Sequence, residues 1–147
     1  MKYAVISSDA TPYNVLFYIS QNLETYVVRK AKLENQLETE TNPSKKRKIS
    51  KEIDDLDTVI DFIYASVAKC SIGMKQIIHQ RFLMRKPYNE ICKGINLTHQ
   101  YLYKLINEEL EKKVNFVEME RVKKILIQWQ ARGQNKWDQI KDYLNYW

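Results

Sequence analysis

Glycine and proline are scarce in this chain, with 3 of each among 147 residues. Turns between strands draw on residues that tolerate positive φ or that fix φ in advance. A chain this poor in both does not read as an all-β barrel or sandwich. The same shortage removes a P-loop and a dinucleotide-binding fingerprint, which need clustered glycines. Neither residue occurs between Pro12 and Pro43. Thr11-Pro12 carries a helix-start signal, a hydroxyl cap followed by proline at the first helical position. Beyond it Leu16, Ile19, Leu23, Tyr26, Lys30, Leu33 and Leu37 recur at alternating steps of 3 and 4. That is the spacing of a coiled-coil seam, with Lys30 the one polar member and a candidate for fixing register. The segment Thr39–Ser44, which contains Pro43, breaks this helix. Ile49, Ile53, Leu56, Ile60, Ile63 and Val67 then repeat the same spacing. Two seams on a short connector predict an antiparallel helical hairpin over residues 1–68. The seams either support the fold within one chain or pair between subunits. Ahead of the hairpin, Tyr3-Ala4-Val5-Ile6 reads as a short strand or an ordered arm.

Hydrophobic residues make up 44% of the chain, enough for a packed core. Cys70 and Cys92 form no disulfide framework and no zinc-type cluster, so reduced, buried thiols in a cytoplasmic protein are expected. The apolar stretch at the N-terminus is too short for a signal peptide. No run of about 18 apolar residues would span a membrane. His79 and His99 lack acidic partners at ligand spacing, and His79 reads as a surface or half-buried side chain. Asp54, Asp55, Asp57 and Asp61 read as a solvated helix flank. No catalytic residue, metal or cofactor is expected. After residue 113, Val114, Val117, Val122, Ile125, Leu126 and Trp129 form an apolar face. Gly133 interrupts it, and Trp137, Ile140, Tyr143, Leu144 and Trp147 follow. This region, 114–147, reads as one or two amphipathic helices.

The net charge of +6 is unevenly placed. Residues 69–104 hold 7 basic side chains and a single acidic one, Glu90, which accounts for the whole excess. Such a concentration is the electrostatic footprint of a nucleic-acid-binding surface. Within it, Ile77, Ile78, Phe82 and Leu83 form the apolar face of a first helix, broken at Arg85-Lys86-Pro87. A second helix carries Ile91, Cys92 and Ile95. Asn96-Leu97-Thr98 makes a tight turn, with Asn96 suited to a left-handed conformation and Thr98 to an N-cap. A third helix buries Leu102, Leu105 or Ile106, and Leu110. Two short helices about such a turn predict a helix-turn-helix module over residues 69–113. Cys92 is expected at the closest crossing of the two motif helices, where a small side chain is needed. His99, Gln100, Tyr103 and Lys104 should point outward, as the early residues of a helix that enters the major groove do. Gln can bond both edge groups of adenine, and Lys can reach guanine or a phosphate. Arg85, Lys86 and Lys93 complete the candidate DNA-binding set.

The stretch from Ile78-His-Gln-Arg-Phe-Leu through Glu90-Ile91-Cys92, Ile95-Asn96-Leu97-Thr98 and Tyr101-Leu102 resembles region 4 of the bacterial sigma-70 family. In that family an arginine-aromatic pair precedes a Glu-Ile-Ala helix, then Leu-Gly-Ile-Ser and a recognition helix. Here Cys92 replaces alanine, Asn96 glycine and Thr98 serine, while Pro87 stands where a hydroxyl cap is usual. A helical N-terminal part followed by such a module is similar to the small phage late-gene transcription regulators of the RinA and ArpU type. The resemblance implies a phage or prophage regulator that binds double-stranded DNA, with RNA polymerase contact and a homodimer as further expectations. Two other readings stand beside it. One is a small terminase-like DNA-packaging protein, which would assemble into a ring of many subunits. The other is a helical adaptor that holds RNA polymerase and binds no duplex.

Overall fold

The computed structural model describes residues 6–132. These residues form six helices, α1 (Pro12–Thr39), α2 (Pro43–Lys69), α3 (Ile72–Phe82), α4 (Tyr88–Ile95), α5 (His99–Lys113) and α6 (Phe116–Ala131), so the described chain is all-α. No helix among them is long and apolar enough to cross a membrane.

The two long helices start as the sequence dictates. Thr11 Oγ1 accepts the Asn14 N–H at 3.2 Å, and Asn42 Oδ1 accepts the Ser44 N–H at 2.9 Å, with proline next to each cap. These side chains satisfy amides that have no partner within the helix. The two apolar rows meet each other within one chain. Leu16, Ile19, Tyr26 and Leu33 of α1 are buried, as are Ile49, Leu56, Ile63 and Val67 of α2. Leu23, Leu37, Ile53 and Ile60 are half-buried at the edge of the same cluster. Lys30, the polar seam residue, lies 2.5 Å from Asp57 of α2, and Arg29 pairs with Glu52 at 3.0 Å. The Asp57 hydrogen bond holds the Lys30 ammonium above its ordinary pKa. Asp55 is paired with Lys51 rather than solvated, at 3.1 Å.

Buried side chains from all six helices join one cluster. The expected boundary at 68/69 falls at the C-terminal end of α2, and that at 113/114 falls where α5 ends. Helix α6 packs on α1 and α2 through Met119, Val122, Ile125, Leu126 and Trp129. Val117 does not belong to this face. It is 81% exposed, because the buried stripe runs through 119, 122, 126 and 129 and leaves 117 on the opposite side. Of the N-terminal strand or arm only Ile6 lies within the described residues. It docks on α6, where the Gln130 amide accepts the Ile6 N–H at 2.9 Å and donates to the Ile6 carbonyl at 3.1 Å. Lys123 of α6 is buried and donates to the Ser8 carbonyl at 2.8 Å, with Glu120 at 2.8 Å balancing its charge. Gly133, Trp137, Ile140, Tyr143, Leu144 and Trp147 lie outside the described residues.

Candidate nucleic-acid interface

Helix α3 presents Ile78 and Phe82 to the core and ends at a turn whose backbone is unusual. Arg85 has φ of 57°, in the left-handed region. Glycine or asparagine is the ordinary occupant there, since an L side chain crowds the following carbonyl. The turn lets the Lys86 N–H reach back to the Gln80 carbonyl at 2.9 Å. Pro87 caps α4 without a side-chain hydrogen bond, so the start of this short helix is held by other means.

Those means come from Arg81, Tyr88 and α1. The Arg81 guanidinium donates to the Lys86 carbonyl at 3.1 Å and to Tyr13 Oη at 3.1 Å. The hydroxyls of Tyr13 and Tyr88 lie 2.6 Å apart and share a hydrogen bond. The guanidinium carbon also lies 4.3 Å from the centre of the Tyr88 ring and 5.2 Å from that of Phe17. Partly shielded cation–π contacts of this kind contribute about 0.5–2 kcal/mol. Burial first, and then the hydrogen bond to Tyr13, keep the Tyr88 phenol well above its ordinary pKa, so Tyr88 retains its proton. One residue of α1 thereby ties down the first residue of α4.

Asn96 closes α4 in the left-handed conformation, with φ 54° and ψ 43°. Thr98 then caps α5, its Oγ1 accepting the Tyr101 N–H at 3.2 Å. Leu102, Ile106 and Leu110 turn inward and are fully covered, while Leu105 is half-buried. At the first turn of α5, His99, Gln100, Tyr103 and Lys104 are exposed. Tyr103 is not free, however. It is 46% exposed, and its ring rests 4.9 Å from that of Tyr13 and 6.3 Å from that of Tyr88. The His99 ring lies 6.1 Å from Tyr88. These contacts gather the first turn of α5 beside the first residue of α4, adjoining the Arg85–Lys86 turn. Arg85 is exposed and lies 3.9 Å from Glu24 of α1, Lys86 is half-buried, and Lys93 is exposed on α4. Lys104 stands 4.0 Å from Glu108.

Cys92 departs from expectation. It is half-buried, and Ile91 is the residue of α4 that is sealed in the core. The helix is rotated so that its one buried side chain is the long branched one, and the thiol sits at the margin. Cys70 is buried, and this burial, with the Glu109 carboxylate adding to it, pushes its thiol up to about 11. Among the described residues no group of His, Cys, Asp or Glu is placed to hold a metal ion.

Three residues of this surface were not among the site residues expected from sequence, although Arg81 and Tyr101 stand in the quoted motif. Tyr101 is 50% exposed on the first turn of α5. Its signal was available, because Leu102, Ile106 and Leu110 define the inward row and Tyr101 falls off it. Arg81 and Tyr88 organise the site, but their partner Tyr13 is 68 and 75 residues away, and no local pattern announces that contact. Comparison of the chain with protein-family models, curated proteins and solved structures finds no match.

Proposed function

We propose that this chain is a sequence-specific double-stranded-DNA-binding transcription regulator of phage or prophage type. In this reading α1–α2 is a helical hairpin, α3–α5 a helix-turn-helix module, and α5 the recognition helix. The observation that carries it is the turn between α4 and α5. Left-handed Asn96 and the Thr98 cap launch a helix whose first exposed residues are His99, Gln100, Tyr101, Tyr103 and Lys104, inside the segment that holds the whole +6 excess. A helix so placed presents side chains of the kinds that read base edges. Arg85 adds support. Residues held in sparsely populated backbone regions cluster at working sites.

The test is selection of bound fragments from genomic DNA, followed by affinity measurements against salt. With about 4 to 6 phosphates neutralised, log K falls with log salt at a slope of roughly −4 to −5. Gln100→Ala and Lys104→Ala each weaken the selected sequence by about 1–3 kcal/mol, whereas Arg85→Ala and Lys86→Ala weaken all duplexes alike. Absence of duplex binding at low salt would favour the polymerase-adaptor reading. A ring of many subunits in solution would favour DNA packaging.

A further inference from the structure

The far end of the α1–α2 hairpin is a stalk. From Glu34 to Lys48 every residue is exposed except Leu37 and Glu40, which are half-buried. At its tip stand Lys45, Lys46, Arg47 and Lys48, consecutive and all exposed. None of the four enters an ion pair among the described residues. Three carboxylates share the tip without neutralising them. Glu34 faces Lys30 at 3.9 Å, Glu40 accepts the Thr41 and Asn42 amides, and Glu38 is solvated. The four cations also sit early in α2, whose first turn holds no acidic residue. That is the positive end of the helix dipole, where cations are disfavoured. The free chain therefore carries an electrostatic cost here that a polyanion relieves.

The stalk's length matters as much as its charge. Tyr13, at the start of α1, is the residue that touches Tyr88 and Tyr103 at the candidate DNA-reading surface. Thr39 ends the same helix. At about 1.5 Å per residue the basic tip lies roughly 40 Å from the contact with α5. One turn of duplex is about 34–36 Å long. We infer that Lys45, Lys46, Arg47 and Lys48 form a second duplex-DNA contact, sequence-independent and made to backbone phosphates about one helical turn from the segment read by α5. This second contact rests on the duplex binding proposed above.

The experiment uses the full chain and the variant carrying Lys45→Gln, Lys46→Gln, Arg47→Gln and Lys48→Gln. All four positions are exposed, and an unchanged circular dichroism spectrum with a melting temperature no lower than that of the original chain confirms that the variant folds. Duplexes of about 12 and 30 base pairs are centred on the selected sequence. At about 3.4 Å per base pair only the longer one reaches the tip. The expected result is equal affinity of the two proteins for the short duplex, and weaker binding of the long duplex by the variant. Its salt slope on the long duplex should flatten by about 2 to 4, at roughly 0.9 per lost phosphate contact. Identical behaviour of the two proteins on both lengths overturns the tip contact and leaves the regulator reading standing. Equal weakening on both lengths also overturns it, since that is diffuse attraction. So does tip-dependent binding to phosphatidylserine vesicles combined with unchanged affinity for the long duplex. Failure of the wild-type chain to bind any duplex overturns both readings together.

Discussion

Helices α1 and α2 run 28 and 27 residues from side-chain caps at Thr11 and Asn42, whereas α3 and α4 run 11 and 8 residues from Ser71 and Pro87, neither of which makes a cap bond. Helices shorter than about 12–15 residues are marginal in water on their own. The long pair is therefore specified locally, by caps and by a repeated row that closes on itself. The short helices hold their places only through distant contacts, such as Phe82 in the core and Tyr13 on Tyr88. The candidate surface formed by α4 and α5 is positioned from α1, and damage to α1 should reach it.

The largest expected effect follows from truncating the anchor of α3. Phe82 is fully buried, and its ring meets Tyr13 edge-on at 5.2 Å. Phe82→Ala should cost about 3–5 kcal/mol, the range for removing a buried aromatic and leaving a cavity. Denaturant unfolding measures it. Leu37→Ala, at the half-buried far end of the long pair, should cost distinctly less. Equal costs would mean that the two regions do not differ in how they are held.

Tyr13→Phe sharpens the comparison at the next level. The substitution keeps the ring against Phe82 and Tyr103 but deletes the hydroxyl that links Arg81 to Tyr88. A net loss of about 1–2 kcal/mol is expected, larger than for an exposed hydroxyl because partly buried polar partners are left unpaired. Amide hydrogen exchange should locate the loss in α4 and the first turn of α5, with the middle of α1 and α2 protected as before. Uniform loss of protection would make Tyr13 an ordinary core residue instead of a positioning one.

The same contrast explains what was legible in the sequence. Both long helices and the central row of their inward residues follow from the 3-and-4 spacing, because a period repeated over many turns averages out single exceptions, whereas Tyr13, Val15, Val59 and Phe62 are buried beside that row and were not read from it. Asn96 and Thr98 were legible for another reason, since only a few residue types suit a left-handed position or an N-cap. The core-facing side of Ile91 was legible, but the half-buried place of Cys92 was not. In eight residues the helix buries only Ile91 fully, too little for a period to separate Cys92 from its neighbour. Val117 shows the same weakness at the start of α6, where an apolar residue precedes the point at which the stripe meets the core. Of the candidate site, the exposed positions on α5 were legible as gaps in the Leu102, Ile106, Leu110 row. The cluster of Tyr13, Arg81 and Tyr88 was not, since residues far apart in sequence leave no periodic trace.

The smallest effect tests whether α4 is weak for local reasons. Gly94 is exposed inside this helix, and a Cβ built there meets nothing within 4 Å. Glycine in a helix interior is less favourable than alanine by about 0.5–1 kcal/mol, because the unfolded chain has more backbone freedom to lose. Gly94→Ala should therefore stabilise the fold by about that amount, read as a rise in the unfolding midpoint at unchanged m-value. Residue 94 lies between Lys93 and the Asn96 turn, so the gain should come with unaltered presentation of α5 and, under the proposed function, unaltered discrimination among DNA sequences. A stabilised variant that reads DNA less selectively would mean that α4 must flex for α5 to seat. The distant contacts from α1 would then limit the motion of the short helices rather than fix their positions.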